Sequence, residues 1–275
     1  MFDSTENSYD FEVEMQPLIH NDLEVTGKKA LVRTDTGETL GIHGSRYHPV
    51  THSTVINTIM DGIAESNLTK DYESSFHIYD GGRKLKAEIK FPDLTVQPSI
   101  GDITCFRVTA TNSYDGTWSF SQSADGLRLF CLNGQTLAEA ISRTVSKHTA
   151  NIDVSGSARK IIKTYESFQG NEQIWKDYQS IKIDAWDAEY FLKNTILKKH
   201  TYTTDKLYNK KGLENIMKIW SEEAANLGYN KWALYNSLTN WATHTCGSSS
   251  PHNLALQRNA IITKAMNSSQ WEIIA

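Results

Sequence analysis

Lys84-Leu85-Lys86-Ala87-Glu88-Ile89-Lys90-Phe91 alternates charged and apolar residues without a break. A period of two places Leu85, Ala87, Ile89 and Phe91 on one side of a strand and Lys84, Lys86, Glu88 and Lys90 on the other. One sheet face is then packed and its reverse mostly cationic, as in an antiparallel sheet with one wet side. Upstream, Asp80-Gly81-Gly82-Arg83 supplies the positive φ angles of a tight turn, so residues 72–79 read as the partner strand of a hairpin. Pro92 is expected to end the second strand.

Residues 104–111, 118–122 and 127–132 read as a three-strand meander punctuated by Asp115-Gly116 and Asp125-Gly126. Residues 29–33 and 39–43 form an earlier hairpin around Asp35-Thr36-Gly37-Glu38, and residues 53–66 carry Val55, Ile56, Ile59, Ile63 and Ala64 at helical spacing. After Asn133-Gly134 the period changes. Thr136-Leu137-Ala138-Glu139 matches a capping box, with Leu137, Ala140, Ile141 and Val145 as the apolar face of the helix behind it. Further helices are expected over 156–168, 171–197, 213–227 with Gly228 as stop, 231–244 and 254–266. Trp175, Tyr178, Trp186, Tyr190, Trp220, Trp232 and Trp241 recur along them as core residues. Strands first and helices last predict an α+β fold, with antiparallel β-hairpins and a meander in the N-terminal half packed with a mostly helical C-terminal half. The expected division is an acidic arm over 1–24, a β-rich core over 25–150 and a helical region over 151–275.

Of the 275 residues 39% are hydrophobic, which excludes a disordered or collagen-like chain. No stretch approaches the roughly 20 apolar residues of a membrane span. Residues 1–15 hold five acids and no base, the opposite of a targeting peptide. Cys105, Cys131 and Cys246 are odd in number and widely spaced, which argues for reduced thiols, and Cys105 and Cys131 read as small core residues. A cytoplasmic location and no membrane partner follow as expectations. Net charge is −4, yet residues 1–75 carry 13 acids against 5 bases while the remainder is mildly basic.

Several clusters bear on chemistry. His43, His48 and His52 could hold a metal, but Pro49 breaks the helix that would align them, so they read as surface or turn histidines. His244, Cys246 and His252 lack a second cysteine pair. Asp184, Asp187 and Glu189 could suggest a metal-dependent nuclease, but with Lys182 and Lys193 nearby they read as a salt-bridged helix surface. No phosphate-binding glycine loop, nucleophile elbow or dinucleotide fingerprint is found, so no catalytic residue, metal or cofactor is assigned.

Between Lys193 and Lys211, six lysines meet one acid, Asp205. Lys198, Lys199, Lys206, Lys210 and Lys211 interleaved with Tyr202 and Tyr208 give the cations and rings that capture of a single strand requires. A solvated inter-helix loop would look the same. The face of Lys84, Lys86 and Lys90, continued by Arg107 and Arg128 on neighbouring strands, is a second candidate, with edge-strand lysines that discourage aggregation as its plain alternative.

Three stretches resemble an uncharacterised family of phage- and plasmid-encoded proteins: Leu40-Gly41-Ile42-His43-Gly44-Ser45-Arg46-Tyr47-His48-Pro49-Val50, Thr111-Asn112-Ser113-Tyr114-Asp115-Gly116-Thr117 and Trp232-Ala233-Leu234-Tyr235-Asn236. The resemblance covers most of the chain from about residue 25 onward and brings no catalytic residue with it. The order of strands and helix over 104–148 is also similar to the core of phage single-strand annealing proteins of the Red-beta and RecT-like group. These resemblances imply a mobile-element protein that binds single-stranded DNA, anneals strands in recombination without enzymatic activity, and assembles as a homo-oligomer. The alternative is a protein-interaction module, an anti-defence inhibitor whose acidic first 75 residues mimic DNA toward a host protein.

Overall fold

The computed structural model describes residues 9–128, 133–135, 144–146, 157–198, 208–244 and 251–274. Strands β1 (Val13–His20), β2 (Leu23–Arg33) and β3 (Thr39–Gly44) form a three-stranded antiparallel sheet in that order. Helix α1 (His52–Ser66) follows. Strands β4 (Glu73–Tyr79), β5 (Lys84–Ser99), β6 (Asp102–Ser113), β7 (Phe120–Arg128) and β8 (Asn133–Gln135) build a second sheet in sequence order, and β9 (Thr144–Ser146) also pairs with β7. The rest is helical: α2 (Ser157–Ser180), α3 (Ala185–Phe191) with a π-helical turn at Leu192–Ile196, α4 (Lys210–Leu227), α5 (Lys231–Thr243), α6 (Pro251–Met266) and α7 (Ser269–Ile273). The α+β class and the division into an N-terminal sheet half and a C-terminal helical half are as the sequence predicts.

The chain separates into two compact units. One comprises Met1–Asp93, Arg107–Ala124 and Ser142–Tyr165; the other comprises Leu94–Phe106, Asp125–Ile141 and Glu166–Ala275. In the first, Leu85, Ala87, Ile89 and Phe91 of β5 are each at most 1% exposed, which realises the alternation read from the sequence. Full burial of each larger side chain among them contributes about 1.5–3 kcal/mol. Thr51 caps α1 by accepting from the Thr54 N–H at 3.0 Å, and Val55, Ile56, Ile59 and Ile63 form its buried stripe. Phe11, Leu31, Leu40 and Tyr114 make a further cluster flanked by Val13, Met15 and Tyr47.

The second unit is built around aromatic rings. Phe106 meets Phe168 at 5.6 Å between ring centroids, Phe168 meets Trp175 at 6.0 Å, and Trp175 meets Trp232 at 5.4 Å. Helix α5 is buried along nearly its whole length, so its polar side chains turn back onto its own backbone: Asn236 donates to the Trp232 carbonyl and Ser237 to the Leu234 carbonyl. Arg128 lies in this interior at 1% exposure, bridging Asp102 and Glu223, while the Trp232 indole N–H donates to the second Asp102 oxygen at 2.7 Å. The two carboxylates outweigh burial and hold the Arg128 guanidinium's pKa above its ordinary value.

Several expectations are corrected. The acidic start is not an arm through residue 24, because Val13–His20 pairs with β2 and gains a ladder partner there. Pro92 does not end β5. Pro92 and Asp93 are both exposed, the inward set shifts from odd to even positions, and the strand continues to Ser99. Asp125-Gly126 is no turn but lies inside β7, and Asn133-Gly134 is strand, paired with Leu127 and Arg128. Val145, expected on a capped helix, sits in β9 opposite Ser121; sheet pairing overrides the local signal, and 136–143 lie outside the described residues. Helix α2 runs through Gly170, and the break falls instead near residue 182, where Lys231 N–H donates to the Ile181 carbonyl at 2.9 Å. Trp186 and Tyr190 are not core: they are 70% and 55% exposed and stack on each other at 5.4 Å.

Candidate nucleic-acid interface

Directly opposed residues of an antiparallel pair point to the same face. In the β4–β5 register Lys84 faces Tyr79, Lys86 faces His77, Glu88 faces Ser75 and Lys90 faces Glu73, so the outer face combines lysines with two rings. Strand β6 adds Arg107, and the β6–β7 loop adds Trp118, whose ring lies 5.7 Å from that of Tyr79 and 5.7 Å from the Lys84 ammonium.

Glu88 is the acid at the centre of this face. Its carboxylate is 2.6 Å from Lys86 Nζ and 3.2 Å from Arg107 Nη1, and its side chain is 14% exposed. Burial pushes the carboxyl pKa upward, but Lys86, Arg107 and Lys90 together outweigh it and hold it at about 2. Burial and the same carboxylate push the Tyr79 hydroxyl up. Lys84 is balanced separately by Asp80 at 2.5 Å and Asp115 at 3.5 Å. Lys86 and Arg107 thus flank the Glu88 carboxylate, with Lys90 opposite Glu73, on a face that also carries His77, Tyr79 and Trp118, an arrangement that can offer cations and rings to an anion with planar groups.

The loop that presents Trp118 rests on a buried polar network. Ser113 Oγ donates to the Trp118 carbonyl and accepts from its N–H, and Asp115 accepts from Thr117. Beneath them, His43 Nε2 meets the Tyr114 carbonyl at 2.6 Å while its ring stacks on Tyr47 at 3.7 Å. The His52 N–H donates to the Tyr114 hydroxyl at 2.8 Å, and His52 Nε2 lies 2.9 Å from the Gly82 carbonyl. A carbonyl only accepts, so Nε2 carries the proton and Nδ1 accepts from Asn112 Nδ2 at 3.0 Å; that amide also donates to the Val50 carbonyl. The 40–50 and 111–117 stretches therefore meet in one network. Gly41 must be glycine for it to close, since a Cβ there would lie 2.6 Å from His43 Nε2 and closer still to the Tyr114 carbonyl.

This changes the reading of the histidines. His43 and His52 are not surface residues but buried groups whose Nε2 atoms meet backbone carbonyls. Asp184 caps α3 through the Asp187 N–H, and Glu189 pairs with Lys193. Among the described residues no group of three or more His, Cys, Asp or Glu is placed to hold a metal, and no helix is long and apolar enough to cross a membrane.

The other predicted residues divide. Lys84, Lys86, Lys90 and Arg107 share the sheet face, whereas Arg128 does not belong to it, being buried in the second unit against Asp102 and Glu223. Lys198 pairs with Tyr208 as an isolated bridge, and the Lys193 ammonium lies 5.0 Å from the Tyr208 ring centroid. Lys210 and Lys211 are exposed in the first turn of α4, which holds no acid; the helix dipole makes each cation there cost about 0.3–1 kcal/mol. Lys199, Tyr202 and Lys206 lie outside the described residues. Sequence reasoning missed His77, Tyr79 and Trp118; the alternation of Ser75, His77 and Tyr79 in β4 was the signal that could have found the first two.

Neither a curated protein nor a solved structure matches the chain. The domain of unknown function DUF932 matches residues 39–266, a span that holds all three family-like stretches and the sheet face. The chain belongs to the DUF932 family.

Proposed function

We propose that the chain is a non-enzymatic single-stranded-DNA-binding protein of annealing type, serving recombination on a phage or other mobile element and working as a homo-oligomer in the host cytoplasm. The observation that carries the reading is the gathering of Lys86 and Arg107 on the Glu88 carboxylate with Lys90 beside them, on a face shared with His77, Tyr79 and Trp118. The cations neutralise backbone phosphates and the rings receive base faces, which leaves the pairing edges open to a complementary strand. The lysines of 193–211, with Tyr208, offer a further contact of the same chemistry.

The test is fluorescence anisotropy of a labelled single-stranded oligonucleotide across a salt series, comparing wild type with Lys86→Ala/Lys90→Ala. Losing these two lysines reduces the slope of log K against log salt by about 0.7 if they share one phosphate and about 1.4 if they hold two. Failure of the wild type to bind at low salt overturns the proposal and leaves the acidic N-terminal region as the place to seek a host-protein partner.

A further inference from the structure

We infer that the Glu88 carboxylate occupies a phosphate position: Lys86, Arg107 and Lys90 form an oxyanion subsite for one backbone phosphate of the bound strand, and Glu88 is the internal anion which that phosphate displaces. The inference rests on the nucleic-acid reading above and names the chemistry at its centre. Among the outward residues of β5, Lys84, Lys86, Glu88 and Lys90, only Glu88 is acidic, and its direct neighbour across the ladder is the neutral Ser75. Its oxygens already make the contacts a phosphodiester would make, 2.6 Å to an ammonium and 3.2 Å to a guanidinium. A carboxylate and a phosphodiester each offer oxygen acceptors around one negative charge, and an arginine fork receives either.

The subsite is also accessible. Lys86 is 34% exposed, Glu88 14% and Arg107 13%, so the cluster sits at the sheet surface and the carboxylate can rotate into solvent as the phosphate arrives. No bond is made or broken in the exchange. Glu88 gains hydration while the incoming oxygens take its two cations. Lys86 and Arg107 leave the subsite net positive once Glu88 has left, and Lys90, which faces Glu73 across the ladder, lies on the same side of β5. An internal competitor of this kind keeps binding reversible, which a protein that must release its product duplex requires.

The experiment uses the full chain, a labelled oligo-dT strand and the same strand with neutral methylphosphonate linkages, titrated across a salt series. Glu88→Gln removes the competing charge at constant shape. It is expected to bind the phosphodiester strand about tenfold more tightly with the slope of log K against log salt unchanged, because the same phosphate is neutralised in both proteins. The methylphosphonate strand gains nothing. Ser75→Asp places a second carboxylate opposite Glu88 and weakens binding, so the inference does not depend on one variant. Wild-type binding with Glu88→Gln at equal or lower affinity overturns the subsite and leaves the nucleic-acid reading standing. Absence of binding by wild type and Glu88→Gln alike overturns both.

Discussion

Replacing Arg128 with Met should destabilise the second unit severely and leave the sheet face untouched. Arg128, Asp102 and Glu223 are 1%, 3% and 6% exposed, and the guanidinium is shared between the two carboxylates. Without it Asp102 keeps the Trp232 indole N–H at 2.7 Å, a neutral donor that cannot offset a buried charge. Removing one partner of a buried ion pair costs about 3–5 kcal/mol, a large share of the roughly 5–15 kcal/mol that holds a domain together. For a chain of this size that lowers Tm by about 6–20 °C. Thermal and urea unfolding followed by tryptophan fluorescence reads the change where it occurs, because Trp232 belongs to the network.

The same variant carries its own controls. Arg128→Met combined with Asp102→Asn and Glu223→Gln removes all three charges and should recover most of the loss, since a neutral interior no longer strands a carboxylate. Below its transition, Arg128→Met should bind single-stranded DNA with an unchanged salt slope, because a buried arginine contacts no phosphate. A fall in Tm of less than about 2 °C, or a triple variant as unstable as the single one, refutes the reasoning.

Other outcomes follow from the same coordinates. The Glu88 carboxyl, held at about 2 against an ordinary value of 4.5, contributes stability that is fully present above pH 5 and lost as pH falls through about 2. Glu88→Gln should therefore flatten the acid limb of the stability profile by on the order of 3 kcal/mol, and an unchanged limb refutes the assignment. Gly41→Ala forces a Cβ against the Tyr114 carbonyl and His43, an overpacking that should cost about 1–3 kcal/mol in urea unfolding. Trp271, 2% exposed, donates to the Tyr178 hydroxyl at 2.9 Å and lies 5.0 Å from the Lys231 ammonium. Trp271→Ala should cost about 3–5 kcal/mol and expose α7 to protease. Trp186→Ala, at a residue 70% exposed, should stay within about 0.5 kcal/mol, and a larger loss means that ring is packed.

The class of fold was legible because alternation in β5 and the capped, periodic helices α1 and α4 are local signals that burial agrees with. Boundaries failed where ladder pairing overrode the local signal. Val145 follows a capping signal but has Ser121 to pair with, and Asn133-Gly134 reads as a turn but has Leu127 and Arg128 across the ladder. Half of the basic site was legible for the same reason, since period two reports that a residue points away from its own strand's packed side. It does not report what waits there. Arg107 and Arg128 are equivalent by that test, yet Arg107 meets Glu88 at a sheet surface and Arg128 meets Asp102 and Glu223 in an interior.

That distinction bears on what the family-like stretches mark. Their most chemically suggestive side chains, His43 and Asn112, together with the nearby His52, are engaged with backbone carbonyls and with one another. What they fix is position. By tying Val50 and Gly82 to residues 112–114, they set the start of the loop whose Asp115 balances Lys84 and whose Trp118 packs against Tyr79. The polar network thus builds the edge of the cationic face without contributing a charge to it, and the residues that would touch a strand are ordinary lysines, an arginine and rings that no motif singles out. In such a protein a sequence pattern points to the scaffold, and the chemistry is recovered only when the register of β4 against β5 places Lys86, Glu88, His77 and Tyr79 side by side.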